Sequence, residues 1–160
     1  MPKAFAPPLD PSAYVFRHDV RARFAETDAM GIVHHAAYLP WLEEARAAWL
    51  RELGHPYNDL REEGTDIAVV EAHVRYRAPA RFDEVVTVHL GMGPKARSIF
   101  RVGYLLTVDD RPILTAMTAH AAVRPDGRPT RLPRWLLDLD TPDLSRPPDA
   151  DAVAPDGAAR

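Results

Sequence analysis

The chain of 160 residues contains no cysteine and only three serines, Ser12, Ser98 and Ser145. The absence of cysteine excludes disulfides, thiolate metal sites and a cysteine nucleophile. None of the serines lies in a Gly-x-Ser-x-Gly turn, which carries the nucleophile of many hydrolases. If the chain cleaves an ester or a thioester, a carboxylate is therefore the best remaining candidate for the reactive group.

An excess of positive charge and long apolar runs are missing as well. The formal net charge is −3, so the chain has no overall basic character that would favour nucleic acid. No stretch approaches the ~20 apolar residues that a membrane-spanning helix needs, and the N-terminal residues have no apolar signal core. We therefore expect a cytoplasmic protein that neither spans a membrane nor binds nucleic acid.

The seven histidines show no spacing that is typical of a metal site. His34 and His35 are adjacent, and adjacent helical residues do not share a face. The other five are scattered along the chain, and no His-x-x-x-His pair is present. We therefore expect neither a metal nor a redox cofactor.

Prolines are concentrated at both ends of the chain. Four of the sixteen fall in residues 1–13 and four more in residues 142–155. Proline cannot continue a helix or an inner strand. We expect residues 1–13 and 141–160 to be tails that flank one domain at residues 14–140.

The clearest periodic pattern predicts a helix of about 18 residues between positions 36 and 53. Its apolar residues share one stripe: Tyr38, Trp41, Leu42, Ala45, Trp49 and Leu53. The other side is predicted to hold the charged residues Glu43, Glu44, Arg46, Arg51 and Glu52. Pro40 fits the first turn of such a helix, and Gly54 fits the left-handed residue that follows its end.

Alternating apolar residues predict strands on both sides of this helix. The strands are marked by Val20, Ala22 and Phe24, then by Val70 to Tyr76, Val86 to Leu90, Phe100 to Val108 and Thr115 to Val123. We expect a polar connection at residues 55–64 and turns at Gly91-Met92-Gly93-Pro94 and Asp109-Asp110-Arg111-Pro112. This order predicts an α+β domain whose antiparallel sheet wraps around the helix. Apolar surface left on such a sheet predicts at least a homodimer.

Asp28 lies between a strand-like segment and the predicted helix. An aspartate in this position commonly caps free backbone N–H groups. A functional explanation is also open, because a helix N-terminus presents unpaired donors that can hold a developing oxyanion. A carboxylate beside those donors could attack a carbonyl or take a proton from water. Glu26, two residues earlier, is expected only to cap, to pair with an arginine or to stay solvated.

The residues around Asp28 resemble a known signature. The D-x-x-G-x-V-x-H-x-x-Y run within residues 26–38 and the later Y-x-A-P-A-R turn at residues 76–81 are similar to the hotdog-fold acyl-CoA thioesterases of the 4-hydroxybenzoyl-CoA thioesterase family. The nearest resemblance is to the Tol-Pal-associated branch, and it covers roughly residues 16–140. It implies a hotdog fold, with the sheet around one long helix, that assembles as a homodimer or homotetramer.

The resemblance also implies roles for individual residues. Asp28 matches the family's catalytic carboxylate, as nucleophile or general base, and the His35 N–H matches the donor to the thioester carbonyl. His34 stands where an aromatic residue is common. The implied substrate-binding residues are Gly31, His34, Tyr38, Lys95, Arg97 and Ser98, the last three because the corresponding hairpin contacts the nucleotide end of CoA. Without the resemblance, these cations in a turn would usually be solvated, although Lys and Arg suit phosphates.

The implied activity is hydrolysis of an acyl-CoA, or of a thioester on acyl carrier protein, to a free acid and the thiol. Two alternatives stay open. One is a hydratase or dehydratase of acyl thioesters, although the G-H-F-P segment of that family is absent. The other is a protein that binds acyl-CoA with little turnover.

Overall fold

The computed structural model describes residues 6–145, which contain three α-helices and five strands. In chain order these are β1 (Phe16–Arg21), α1 (Tyr38–Glu52), α2 (Tyr57–Glu62), β2 (Asp66–Tyr76), β3 (Val85–Lys95), β4 (Ile99–Val108), β5 (Arg111–Val123) and α3 (Arg134–Leu137). Single 3-10 turns occur at Pro11–Ala13, Phe24–Glu26 and His35–Ala37.

The five strands form one antiparallel sheet in the order β1-β3-β4-β5-β2. α1 packs across its inner face, against β1 and β3. Fully buried side chains from the helix and the sheet form the core between them, among them Trp41, Leu42, Val88, Leu90, Val102, Leu106 and Leu114. The predicted α+β domain, with its sheet wrapped around one early helix, is confirmed.

α1 confirms the predicted apolar stripe, but it also buries a charged residue, Arg46, that lies outside this stripe. Five of the six stripe residues are buried, namely Tyr38, Trp41, Leu42, Ala45 and Trp49. The placement of Arg46 among the exposed charges is wrong, because it is only 8% exposed and follows buried Leu42 by one helical turn. The helix has 15 residues, and Gly54 has the predicted left-handed conformation after its end, with φ of +79°.

The predicted turn at Gly91-Met92-Gly93-Pro94 is wrong. β3 continues through these residues to Lys95, and the chain reverses only at residues 96–98. The lack of a side chain at Gly91 leaves space for Leu144, since a Cβ atom at position 91 would lie 2.7 Å from the Cδ1 atom of Leu144. The glycine therefore reflects a contact with a distant part of the chain.

Other local predictions hold only in part. β1 ends at Arg21, so Phe24 does not belong to a half-buried strand and is 75% exposed in a 3-10 turn. The turn at Asp109 and Asp110 is confirmed, with φ of +51° at Asp109, although the next two residues already belong to β5. Residues 55–64, predicted as a polar connection, contain α2, which buries Leu60.

β2 lies at one edge of the sheet and is largely exposed. The predicted inward-facing residues of this strand, Val70, Ala72 and Tyr76, are exposed, and a register shift interrupts its alternation between Val69 and Glu71. An irregularity of this kind re-aims side chains, and an edge strand has no neighbour on one side. β2 thus leaves an edge of 11 residues without a neighbouring strand in a single chain, with Val69 and Val70 exposed on it.

Both segments that flank the predicted domain contact it where they are described. The Tyr14 ring lies 6.1 Å from that of His89, and its hydroxyl donates to the Pro8 carbonyl oxygen at 2.7 Å. At the other end, the Leu144 N–H donates to the Met92 carbonyl oxygen at 2.9 Å. The predicted tails also include residues 1–5 and 146–160, which lie outside the described residues, and the boundaries at 13 and 140 stay predictions.

Candidate functional site

A cleft of about 370 Å³ opens between the turn at Asp28, the start of α1 and the end of β2. Its lining is mostly apolar and aromatic, with few polar groups: Asp28, Met30, Ile32, Val33, His35, Tyr38, Tyr76, Arg77, Ala78 and Pro79. A smaller cavity of about 220 Å³ between β2 and β5 lacks a carboxylate in its lining. A site for a reactive carboxylate is therefore present only in the first of these two cavities.

Asp28, which lines the cleft, opens a tight turn. Its Oδ1 atom accepts the Met30 N–H at 2.8 Å, and its carbonyl oxygen accepts the Gly31 N–H at 2.9 Å. Gly31 makes this turn possible because its φ is +71°. Asp28 therefore caps its own turn, whereas α1 begins ten residues later at Tyr38. The explanation that Asp28 caps the long helix is wrong.

The backbone N–H groups of residues 33–37 reveal one donor without a partner. Four of them have acceptors: Val33 donates to Ala80 O at 2.8 Å, His34 to Glu26 O at 2.8 Å, Ala36 to His34 Nδ1 at 3.2 Å and Ala37 to His34 O at 2.9 Å. Among the described residues, the His35 N–H makes no hydrogen bond. His35 and Asp28 line the same cleft.

His34 and His35 differ in what their rings do, although the rings lie only 4.1 Å apart. The Nδ1 atom of His34 accepts a backbone N–H and so caps the 3-10 turn that leads into α1. His34 is exposed and does not line the cleft, whereas His35 does. His34 therefore has a structural contact at the position where the resemblance implies substrate binding.

Aromatic side chains form the inner wall of the cleft. Tyr38 is 3% exposed, and its ring meets those of Trp41 and Tyr76 edge-on, at 5.1 and 5.7 Å between centroids. Burial raises the pKa of the Tyr38 hydroxyl, which therefore stays neutral. The sequence predicts Tyr76 as a strand residue and as the start of the Y-x-A-P-A-R turn, without a role in the site, yet its hydroxyl donates to the His35 carbonyl oxygen at 3.0 Å.

Glu26 stabilises the base of the site. Its carboxylate accepts the backbone N–H of Arg23 at 2.8 Å, the Arg23 guanidinium at 2.7 Å and Trp41 Nε1–H at 3.0 Å. Partial burial alone would raise the pKa of Glu26, but the hydrogen bonds from Arg23 and Trp41 outweigh it and lower that pKa. The expectation that Glu26 pairs with an arginine is confirmed.

Lys95, Arg97 and Ser98 lie at the opposite end of the sheet from Asp28. β3 starts near the cleft and reaches Lys95 after 11 residues, a length of about 33 Å for an extended strand. The Nζ atom of Lys95 donates to the carbonyl oxygens of Leu136 and Leu139, at 3.2 and 2.6 Å. Lys95 thus fixes the end of α3, and one chain does not bring these three residues to the cleft.

Within residues 6–145, no three His, Asp or Glu side chains come together as a metal site. None of the helices in this range is long and apolar enough to cross a membrane.

Comparison with known proteins places these features in context. A family model described as the thioesterase-like superfamily matches residues 22–139. The crystal structure of a hypothetical protein from Aquifex aeolicus superposes with a TM-score of 0.74 at 35% identity, over 77% of this chain and 97% of that one. The 1,4-dihydroxy-2-naphthoyl-CoA hydrolase of Synechococcus elongatus is 32% identical over 71% of this chain and 89% of its own length. The acyl-CoA thioester hydrolase YbgC of Escherichia coli is 36% identical over 46% of this chain and 55% of its own length.

Proposed function

The chain belongs to the thioesterase-like superfamily, and from that premise we propose that it hydrolyses an acyl-CoA thioester to a free acid and CoA. The resemblance of its motif to the hotdog thioesterases is confirmed, and so is the hotdog fold, because a five-stranded antiparallel sheet and one long helix superpose on a solved structure. Two relatives named as hydrolases of CoA thioesters agree with this class of enzyme. The observation that carries the proposal is the Asp28 carboxylate and the unpaired His35 N–H on one cleft.

The His35 N–H is assigned to the carbonyl oxygen of the thioester. That oxygen becomes negatively charged as a nucleophile adds to the carbonyl carbon, and a fixed N–H donor stabilises the charge. The donor precedes a helix of 15 residues, whose N-terminus carries a partial positive charge. Since the neighbouring N–H groups already have acceptors, the His35 N–H is the donor that remains for a substrate.

Asp28 is assigned as the base or nucleophile. One carboxylate oxygen is held by the Met30 N–H, which fixes the side chain and leaves the second oxygen for the reaction. That oxygen either takes a proton from an attacking water or attacks the carbonyl carbon itself. On the first route, water adds to the carbonyl carbon and the C–S bond breaks. On the second, attack by Asp28 breaks the C–S bond and leaves an acyl–Asp28 anhydride, which one water then hydrolyses to the free acid and the regenerated carboxylate. Both routes consume one water, and the CoA sulfur takes up a proton and leaves as a thiol.

The lining of the cleft supports an apolar acyl group. Apart from Asp28, His35 and Arg77, it consists of aliphatic or aromatic side chains. Tyr38 contributes a neutral, buried ring at the inner wall. Such a surface favours hydrocarbon or aromatic acyl groups over charged ones.

The exposed edge of β2 supports assembly as a homodimer. This strand has 11 residues and leaves Val69 and Val70 more than half exposed. A long edge strand with exposed apolar side chains and unpaired backbone groups favours pairing with another strand. Antiparallel pairing of two β2 strands would be symmetric, as most homodimer contacts are. Light scattering should give a homodimer or a homotetramer, and a stable monomer would contradict this assembly.

Such pairing would also complete the site. Tyr76, at the C-terminal end of β2, lines the cleft, whereas Ile67 near the other end pairs with Ala122, whose N–H donates to the Ser98 carbonyl oxygen. In an antiparallel pair, the N-terminal end of one β2 lies beside the C-terminal end of the other. The Arg97 and Ser98 of a second copy would thereby approach the cleft, where Arg97 could bind the phosphates of CoA.

A thiol-release assay tests the proposed reaction. The purified protein is offered a panel of aliphatic and aromatic acyl-CoAs and an acyl carrier protein thioester, and the free thiol is measured. We expect release from at least one acyl-CoA. Binding without release would favour a non-catalytic acyl-CoA protein, and addition of water across a double bond of an enoyl-CoA would favour a hydratase. Either result would refute the thioesterase proposal.

A further inference from the structure

We propose that Tyr76 is a positioning residue for the reaction, because its hydroxyl holds the backbone that presents the His35 N–H. This inference rests on the proposed thioesterase function. Tyr76 is the last residue of β2 and lies 41 positions from His35 in the sequence. Its O–H donates to the His35 carbonyl oxygen at 3.0 Å, so one side chain ties the end of the edge strand to the segment that enters α1.

The hydrogen bond from Tyr76 holds the carbonyl group of His35, the same residue whose N–H is assigned to the substrate. The N–H of His35 has no acceptor among the described residues, so its direction depends on how the adjoining backbone is held. On the N-terminal side, Val33 and His34 are fixed by their bonds to Ala80 and Glu26, each 2.8 Å long. The N–H and C=O of His35 are joined through one Cα atom, with only two soft dihedrals between the neighbouring peptide planes. The bond from Tyr76 therefore restrains the C-terminal side of the same residue.

Packing of the Tyr76 ring does not explain why a hydroxyl is present. The ring meets Tyr38 edge-on at 5.7 Å, and Tyr38 is itself held in the core. A phenylalanine would make the same ring contact. Tyr76 is also 50% exposed, so its hydroxyl could have been satisfied by water alone. Instead it bonds to a backbone carbonyl at the cleft, which is the feature a positioning role requires.

The Tyr76→Phe variant removes one oxygen and keeps the ring. Tyr14→Phe is the matched control, because it deletes a similar hydroxyl-to-carbonyl bond, at 2.7 Å to Pro8, from a residue that does not line the cleft. For Tyr76→Phe we expect kcat to fall about three- to tenfold while KM stays within about twofold. Tyr14→Phe should keep the kcat and KM of the unaltered enzyme. All rates are normalised to the folded fraction measured by near-ultraviolet circular dichroism.

The other possible results of these kinetic measurements would overturn either the role of Tyr76 or the proposed function. An unchanged normalised kcat, or a higher KM at constant kcat, would overturn the role of Tyr76. An equal fall in kcat in Tyr14→Phe would also overturn it, because the effect would then not be specific to the cleft. These results leave the proposed function intact as long as the unaltered enzyme releases CoA. Failure of the unaltered enzyme to release CoA from any substrate would refute the function instead.

Discussion

Two turns of this protein contain the same kind of aspartate hydrogen bond and differ in their surroundings. Asp28 accepts the N–H of the second following residue at 2.8 Å, and Asp126 does the same at 3.0 Å. Each turn contains a glycine with positive φ, +71° at Gly31 and +82° at Gly127. The Asp126 carboxylate lies on the surface, 3.8 Å from the guanidinium of Arg128. The Asp28 carboxylate lines the cleft and makes no ion pair within residues 6–145.

The difference shows what makes an aspartate a candidate catalyst. The turn itself only fixes the side chain, since Asp and Asn favour such turns throughout proteins. A carboxylate without an ion pair, in a cleft that His35 also lines, is in a different environment from a solvated carboxylate beside its own arginine. The neighbours, rather than the turn, therefore carry the functional assignment.

Exchange of each aspartate for asparagine should give the largest difference in activity between the two turns. Asparagine can still accept the turn N–H through its side-chain oxygen, so both variants should fold, but the negative charge is lost. We expect Asp28→Asn to lower kcat by about 10²- to 10⁴-fold, and Asp126→Asn to leave kcat unchanged. Steady-state thiol release measures both. Equal rates in the two variants would remove Asp28 from the mechanism.

The second largest effect should come from the donor at position 35. His35→Pro removes the N–H, and the backbone permits it because His34, with φ of −62° and ψ of +139°, has the extended conformation preferred before proline. The deleted N–H has no partner among the described residues, so the fold should tolerate the change. We expect kcat to fall about 10²-fold or more, the usual cost of one oxyanion donor.

His35→Ala is the matched control for this variant. It removes the imidazole and keeps the backbone N–H, so it should retain most of the activity that His35→Pro loses. If His35→Ala is as slow as His35→Pro, the side chain and not the N–H is responsible, and the assignment of the donor is wrong.

At the opposite end of the sheet we expect smaller effects, on KM for Arg97 and on stability for Lys95. Arg97→Ala should raise the KM for acyl-CoA about three- to tenfold, and more at low salt, because a phosphate contact is screened by ions. Lys95→Met should instead lower the free energy of unfolding by about 1–2 kcal/mol, because its ammonium bonds two carbonyl oxygens at the end of α3. Kinetics and thermal unfolding separate the two. A KM that rises in Lys95→Met alone would reverse these roles.

The smallest effect concerns a titratable group sealed in the core. His120 is fully buried, and burial, assisted by the charge of Arg46, lowers its pKa to about 3. The unfolded chain protonates this histidine below about pH 6.5, whereas the folded chain keeps it neutral. The unfolded state thus binds more protons between these pH values, so stability falls as the pH drops.

Thermal unfolding at pH 7 and pH 5 tests this linkage. His120→Gln removes the titrating group, so its Tm should fall by a few degrees less between the two pH values than that of the unaltered protein. Thr118 Oγ1, which lies 2.7 Å from His120 Nε2, gives the amide a partner. An identical pH dependence in both proteins would show that His120 does not titrate as described.

The sequence predicts best where a pattern is local. The stripe of α1 follows from one helical period, and Asp28, His35 and Tyr38 come together at the cleft because they lie within eleven residues of one another. The errors arise from distant contacts. Gly91, predicted to lie in a turn, instead pairs with Gly103 of β4, and Leu144 occupies the space beside it.

The same limit applies to the site. Tyr76 reaches the cleft only because β2 ends there, so its bond to His35 depends on the folded sheet. Lys95 carries a charge that suits phosphate, yet its ammonium donates to the carbonyl oxygens of Leu136 in α3 and of Leu139 just after it. α3 has only four residues, too few for a clear periodic pattern in the sequence. Neither the bond from Tyr76 to His35 nor the bonds from Lys95 can be predicted from residue spacing along the chain.

A crystal structure with a non-hydrolysable acyl-CoA ketone, in which a methylene group replaces the thioester sulfur, tests the central claim most directly. We predict that the ketone oxygen lies about 2.7–3.1 Å from the His35 nitrogen, with the free carboxylate oxygen of Asp28 facing the carbonyl carbon, directly or through one water. A ketone bound with its oxygen away from His35, or an acyl group bound outside the cleft, would contradict the account.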